Sequence, residues 1–190
     1  CEQGLKSYYG ISAPNTRTGI ITSFRSRLEL WSNPLIDAAT SHSDFDLERV
    51  RKDKISIYLG ITPGNLARFS PLVNLFFSQL IELNIRTLPE DDPSIKHTCL
   101  LLLDEATAPG KIQILMKAIS YIAGYWLRVL TIVQSPEQIR ATYTKEEGDN
   151  YLTNHGCLVV FAPKASESRL AKEYSEWLGY DTVKSKSTSK

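Results

Sequence analysis

Residues 98–134 constrain the fold more than any other stretch of this chain. One apolar run ends at Asp104 and Glu105, a second run over residues 127–133 ends at Gln134, and a segment with helical periodicity lies between them. An apolar run without polar alternation is typical of a strand that helices cover on both faces, and such strands occur in parallel sheets. Ligands of open parallel sheets bind beyond the carboxyl ends of the strands, and right-handed crossovers often connect neighbouring strands. We therefore expect Asp104, Glu105 and Gln134 to lie close together at one edge of a sheet.

The acidic pair after four leucines is the pattern of a Walker B strand. A nucleotide triphosphatase needs one carboxylate near Mg²⁺ and its waters, and a second group that orients the attacking water. Asp104 would take the first role and Glu105 the second, while Gln134 is placed to sense the γ-phosphate or the water. The same residues also fit a strand that ends in an exposed acidic turn, followed by a glutamine that caps a helix.

A phosphate-binding loop of the form GxxxxGK[ST] is absent from the sequence. The pair Gly110-Lys111 fails the pattern, because Glu105 stands five positions before Gly110 and Ile112 follows Lys111. We predict that Lys111 is the first exposed residue of the following helix. We also expect that these residues alone neither hold nor hydrolyse ATP efficiently.

A series of motifs runs along nearly the whole chain in a fixed order, and together they are far more specific than the acidic pair. They are LWSNP (30–34), SDFD (43–46), IYLGITP (57–63), PLVNLFF (71–77), LLLLDEATAPGKI (100–112), KAISYIAGYWLR (117–128), IVQSPEQ (132–138), TNH (153–155) and VVFAP (159–163). In this order they resemble the conjugative coupling proteins of type IV secretion systems, the TraG family of DNA-transfer ATPases. The chain departs from the usual pattern at Ala106 and Pro109, where the family commonly carries bulky apolar residues.

The resemblance implies an incomplete α/β domain. Alternating strands and helices already favour a mainly parallel sheet flanked by helices, and the family adds a RecA-like fold preceded by a helical remnant of an all-α insertion. The implied domains are residues 1–50 for the end of the insertion and the return segment, 51–182 for the second half of the ATPase domain, and 183–190 for a polar tail.

The resemblance also implies a function. The parent protein would be a homo-hexameric ATPase, anchored in the bacterial inner membrane with this part facing the cytoplasm. It would use ATP and Mg²⁺ to drive single-stranded or double-stranded DNA, with its bound relaxase or relaxosome, into the type IV secretion channel.

Roles for individual residues follow from the same resemblance. Asp104 would bind the cofactor and hold Mg²⁺ through water, and Glu105 and Gln134 would be catalytic. Arg128 is a candidate for an arginine that completes a neighbouring subunit's site, although some relatives carry that arginine where this chain has Ala123. A surface ion pair is the other interpretation of Arg128.

Two other functions fit parts of the pattern. A non-catalytic, substrate-recruiting adaptor with the same fold would lack the phosphate loop in the full-length gene as well. A metal-dependent nuclease could use Asp104 and Glu105, but it needs further carboxylates at other strand ends, and Ile61, Val133 and Phe161 provide none.

Charge, cysteine spacing and apolar runs indicate the environment of the protein but do not identify a binding partner. A formal net charge of +1 over 190 residues gives no long-range attraction for nucleic acid or an anionic membrane. The basic cluster of Arg49, Arg51, Lys52 and Lys54 is typical of a solvated face, and contact with DNA is its other interpretation. Cys1, Cys99 and Cys157 lack metal-ligand spacing, which favours reduced thiols. No apolar run reaches the length of a membrane span, and the start at Cys1 suggests a soluble fragment of a longer protein.

The remaining pattern predicts further elements. Helices are expected over residues 16–31, from Pro71 to about Arg86, from 112 to about 124, from 136 to about 144 and from Ser166 to Gly179, with strands over 55–61 and 157–161 and a charged loop over 145–150.

Overall fold

The computed structural model describes residues 9–11, 13–162 and 168–180, apart from the side chain of Arg27. The chain forms two compact units, one ending at Asn154 and the other beginning at His155. The predicted domain limits 1–50, 51–182 and 183–190 stay predictions, and both the tail and Ser166 lie outside the described residues. No helix in the described ranges combines the length and the apolarity needed to cross a membrane.

Two adjacent parallel strands form the sheet of the first unit. Strand β1 is Cys99–Leu103 and strand β2 is Leu127–Thr131. Their register pairs Cys99 with Leu127 and Leu103 with Thr131, so both strands end at the same edge. The predicted incomplete α/β fold with a parallel sheet is confirmed.

Helices account for most of the remaining regular structure. In chain order they are α1 (Pro14–Leu28), α2 (Pro34–Thr40), α3 (Leu66–Asn84), α4 (Gln113–Ala118), α5 (Pro136–Thr142), α6 (Lys145–Thr153) and, in the second unit, α7 (Ser168–Leu178), with 3-10 turns at Glu29–Ser32, Leu47–Arg51, Pro63–Asn65 and Ile122–Tyr125. The predicted closure of α7 at Gly179 is confirmed, since this glycine has φ 74°.

The core of the first unit covers one face of the sheet. Leu101 and Leu103 of β1 are buried with apolar residues of α3 and α4. Leu100 on the opposite face is 56% exposed, and Leu102, Leu130 and Ile132 are exposed as well. The expectation of a sheet covered on both faces is therefore wrong for the described residues.

The strands predicted over residues 55–61 and 157–161 do not form. Both segments are irregular and pair with no strand in the described part of the chain. Ile57 and Ile61 still pack against the core, whereas Phe161 is 87% exposed and Cys157 is exposed. An apolar run becomes a strand only where a neighbouring strand satisfies its backbone groups.

Three helix predictions need correction. Helix α3 begins at Leu66 rather than at Pro71, so the proline lies inside the helix. The helix predicted from 112 to about 124 is α4, which ends at Ala118, and a 3-10 turn over Ile122–Tyr125 with a left-handed Trp126 precedes β2. The charged segment 145–150 belongs to α6, because the Thr144 hydroxyl accepts a hydrogen bond from the Glu147 amide and caps the helix.

The side chain of Arg51 is buried, which contradicts its predicted place on a solvated face. It is 3% exposed, and its guanidinium donates to Asn84 Oδ1 at 3.0 Å, to the Tyr125 carbonyl at 2.9 Å and to the Thr87 carbonyl at 3.2 Å. Burial lowers the pKa of Arg51, and the charges of Asp92 and Cys99 oppose that shift. Since three acceptors satisfy the guanidinium, it remains a buried cation that joins the end of α3 to the turn before β2.

Replacement of Arg51 by methionine should destabilise the protein. The change keeps the apolar stem but removes the donor from one buried acceptor, Asn84 Oδ1, and from two part-buried carbonyls, which should lower the free energy of unfolding by about 3 kcal/mol. Urea unfolding followed by tryptophan fluorescence measures the effect. The matched control is Arg49→Met, which removes only an exposed ion pair with Asp53 and should cost less than about 0.5 kcal/mol. Equal losses in the two variants would contradict the structural role of Arg51.

Candidate functional site

The carboxyl ends of β1 and β2 bring an acidic side chain and an amide together. Glu105 follows β1 and Gln134 follows β2, and the Gln134 amide nitrogen donates to Glu105 Oε1 at 3.3 Å. Both side chains are exposed, as is Asp104 beside them. The predicted meeting of Glu105 and Gln134 at one sheet edge is what the structure shows, and Asp104 directly follows β1 at that edge.

Backbone hydrogen bonds fix the chain at this edge. The Ile132 amide donates to the Leu103 carbonyl at 3.0 Å, and the Ala106 amide donates to the Ile132 carbonyl at 3.1 Å. Between these bonds Glu105 has φ 51°, a left-handed conformation that non-glycine residues rarely adopt. This conformation turns the chain back onto β2, and it costs on the order of 1 kcal/mol. Buried Ala106 anchors the turn in the core with a single methyl group, at a position where a larger apolar residue was expected.

Arg128 lies away from the acidic pair. It is the second residue of β2, near the amino end, and its guanidinium donates to the Ala123 carbonyl at 2.7 Å. Among the described residues it forms no ion pair, so the surface-ion-pair interpretation gains no support. Its role toward a neighbouring subunit stays a prediction.

Lys111 ties the far end of the turn to helix α6. Its ammonium group lies 2.7 and 2.9 Å from the two carboxylate oxygens of Glu147 and 5.8 Å from the centre of the Tyr143 ring. Next to it, the Ile112 amide donates to the Tyr143 hydroxyl at 3.1 Å. The Lys111 hydrogen bond is the main cause that lowers the pKa of Glu147. Lys111 is thus half-buried and paired, not the exposed first residue of a helix.

Tyr151 supports the end of β2. Its hydroxyl is hydrogen-bonded to the Thr131 hydroxyl at 2.6 Å, and its ring stacks against Tyr143 with centroids 6.4 Å apart. Burial raises the pKa of Tyr151 to about 12, while the Thr131 bond partly opposes the rise. Tyr151 of α6 and Tyr143, which lies between α5 and α6, therefore form an aromatic pair next to the strand that leads to Gln134.

This edge of the sheet carries carboxylate oxygens, which are ligands that a hydrated magnesium ion uses. Mg²⁺ keeps several waters and binds through one or two carboxylates together with substrate phosphates. Two exposed carboxylates in sequence, Asp104 and Glu105, fit that need. In the described ranges no three His, Cys, Asp or Glu side chains are grouped to hold a metal by themselves.

Sequence analysis missed the contribution of α6, although a signal was present. The sequence Thr144-Lys-Glu-Glu147 is a capping box, with a hydroxyl residue followed three positions later by glutamate. It marks the start of a helix in a segment that its charge had assigned to a loop. No local pattern indicated that Glu147 would pair with Lys111, because 36 residues separate them.

Fold and site together define a parallel α/β protein with carboxylates at one edge of its sheet. Comparisons with known proteins identify its family. A family model described as Type IV secretory system Conjugative DNA transfer matches residues 8–190. The chain therefore belongs to this conjugative DNA-transfer family. The coupling-protein resemblance found in the sequence is confirmed.

Individual relatives agree with the family. The chain is 39% identical over 177 residues to Protein VirD4 of Rhizobium radiobacter and 36% identical to Protein VirD4 of Agrobacterium fabrum, each match covering 90% of the chain. It is 26% identical over 170 residues, 86% of the chain, to the Conjugal transfer protein TraG of Escherichia coli. The chain spans about a quarter of the length of these relatives, 25% of the first and 26% of the other two.

Replacement of Tyr151 by phenylalanine tests the support of β2. The pKa of Tyr151 rises from 10.0 to about 12 on folding, so the neutral side chain stabilises the fold below pH 10 and that contribution is lost as pH rises through 12. Wild type should therefore lose stability between pH 10 and 12 more steeply than Tyr151→Phe. Urea unfolding at several pH values measures the slopes. Tyr121→Phe, at an exposed tyrosine, should keep the wild-type slope; a wild-type slope in Tyr151→Phe would contradict the assignment.

Proposed function

We propose that this chain is the second half of the ATPase domain of a conjugative coupling protein. The observation that supports the proposal most directly is the 3.3 Å contact between Gln134 and Glu105 at the carboxyl ends of two neighbouring parallel strands. The chain also belongs to a conjugative DNA-transfer family, which supports a role of this contact in DNA transfer. Glu105 adopts a left-handed conformation beside a strand-end glutamine, and strained backbone of this kind clusters at functional sites.

ATP with Mg²⁺, when bound, would supply the γ-phosphoryl group whose hydrolysis provides free energy for transport. Asp104 would hold Mg²⁺ through water, since it is exposed and lies directly beyond β1. The phosphate loop is absent from these residues, so the proposal requires it elsewhere in the full-length protein.

Glu105 would orient the attacking water and accept its proton. The Gln134 amide donates to Glu105 Oε1, which leaves the other carboxylate oxygen available to the water. A change in the charge or position of Glu105 would alter this bond. Gln134 would in this way transmit the state of the phosphates to the end of β2 and to helix α5.

The wider assembly follows from the proposed family role. Six copies would form a ring anchored in the bacterial inner membrane, with this part in the cytoplasm. The ring would pass DNA with its bound relaxase into the type IV secretion channel. Arg128, exposed near the amino end of β2, is the arginine of these residues that we propose to act toward a neighbouring subunit.

Replacement of Glu105 by glutamine in the full-length protein should abolish ATP hydrolysis and spare ATP binding. The amide cannot accept the proton of the attacking water, and a loss of general-base catalysis lowers the rate by about 10²–10⁴-fold. Steady-state phosphate release and equilibrium nucleotide binding measure the two effects. DNA transfer between cells should fall together with hydrolysis.

The matched control is Glu82→Gln, which makes the same change at an exposed glutamate of α3. It should leave hydrolysis and transfer at the wild-type level. Unchanged hydrolysis in Glu105→Gln would remove Glu105 from the mechanism. Wild-type protein that binds no ATP yet supports transfer would instead favour the substrate-recruiting adaptor.

A further inference from the structure

Residues 104–112, here called the acid loop, are bonded at both ends to structure that follows β2. At the first end, Glu105 accepts from Gln134, whose backbone amide donates to Gln138 Oε1 of α5 at 3.0 Å. At the second end, Lys111 pairs with Glu147 of α6 at 2.7 Å. The loop that carries the acidic pair is therefore held by two consecutive helices.

These two helices are closely packed against each other. Gly148 of α6 lies so near α5 that an added Cβ would be 3.0 Å from the Arg140 Cα, a separation shorter than most Cβ contacts in proteins. The Arg140 guanidinium donates to Asp149 at 2.7 Å and to Glu137 at 3.0 Å. The two helices therefore form one closely packed support, and both ends of the acid loop are bonded to it.

We propose that Lys111 is a positioning residue that holds the acid loop on α6 in the geometry that Asp104 and Glu105 require. This inference rests on the proposed ATPase function. Lys111 itself lies at the opposite end of the loop from the carboxylates, so it acts through the loop backbone.

The Lys111–Glu147 pair is suited to positioning rather than to stabilising the fold. Its side chains are 29% and 39% exposed, and ion pairs with that exposure contribute little to global stability. The contact is nevertheless specific, because one ammonium group reaches both oxygens of Glu147 while the neighbouring Ile112 amide is bonded to Tyr143. Loss of the charge should therefore loosen the loop without unfolding the protein.

A second lysine offers a matched control. Lys52 pairs with Asp92 at 3.3 Å, and their side chains are 39% and 29% exposed, the same range as the Lys111–Glu147 pair. The Lys52 pair does not involve the acid loop. Lys111→Met and Lys52→Met thus remove the same charge from equally exposed ion pairs, and Lys111→Arg keeps the charge at the loop.

The experiment combines hydrogen exchange with kinetics on the full-length protein. In Lys111→Met, exchange at the acid-loop amides of Ala106, Ala108 and Gly110 should rise about tenfold. The kcat for ATP hydrolysis should fall about tenfold, with KM within about twofold, because displacement of catalytic groups slows chemistry more than it weakens binding. Lys111→Arg and Lys52→Met should match wild type in both measurements.

The two readouts separate this inference from the proposed function. Unchanged loop exchange in Lys111→Met would overturn the positioning role, whether or not the protein hydrolyses ATP. Faster exchange with an unchanged kcat in an active protein would overturn it as well. A third outcome is that wild type hydrolyses no ATP while Lys111→Met still exchanges faster at the acid loop. That outcome would support the hold of Lys111 on the loop and refute the ATPase function.

Discussion

A buried guanidinium holds together the end of the sheet that lies opposite the candidate site. Arg51 bonds to the Asn84 side chain at the end of α3 and to the Tyr125 carbonyl before β2, while its own carbonyl accepts from the amides of Lys96 and His97 shortly before β1. Both strands are thus tied near their starts to one residue, at the end of the sheet where Cys99 pairs with Leu127. A cation in this position is tolerated because its guanidinium donates to three acceptors, of which Asn84 Oδ1 is buried and the two carbonyls are part-buried.

The candidate site depends on that register, because two strands that begin together also end together. The acid loop follows β1 at the same edge at which Gln134 follows β2. The Ile132 amide donates to the Leu103 carbonyl, and the Ile132 carbonyl accepts from the Ala106 amide, so Ile132 holds the chain on both sides of Asp104 and Glu105. Beyond the sheet, α5 and α6 provide the second support through Gln138, Glu147 and Tyr143. The exposed carboxylates are therefore carried by a loop that is hydrogen-bonded at both ends, and fixed polar groups of this kind limit reorganisation at a site for charged ligands.

The sequence pattern predicted some elements of the structure correctly and others wrongly. The leucine run before Asp104 and the apolar run before Gln134 predicted two parallel strands and the meeting of their end residues, because both features are local or follow from the handedness of one crossover. The same argument failed for residues 55–61 and 157–161, since apolarity says nothing about whether a partner strand lies alongside. It failed for Arg51 too, because a basic residue among basic neighbours looks solvated until the acceptors that surround it are known.

The sequence by itself determined the two neighbouring parallel strands, the acidic pair and the glutamine at their ends, and the membership of a conjugative DNA-transfer family through a long ordered set of motifs. These features are encoded in runs of neighbouring residues. Only the tertiary structure decided that Arg51 is buried, that one sheet face stays exposed in the described residues, and that Lys111 pairs with Glu147. Each of these depends on contacts between residues far apart in the chain, where burial and hydrogen-bond geometry, rather than local propensity, set the outcome.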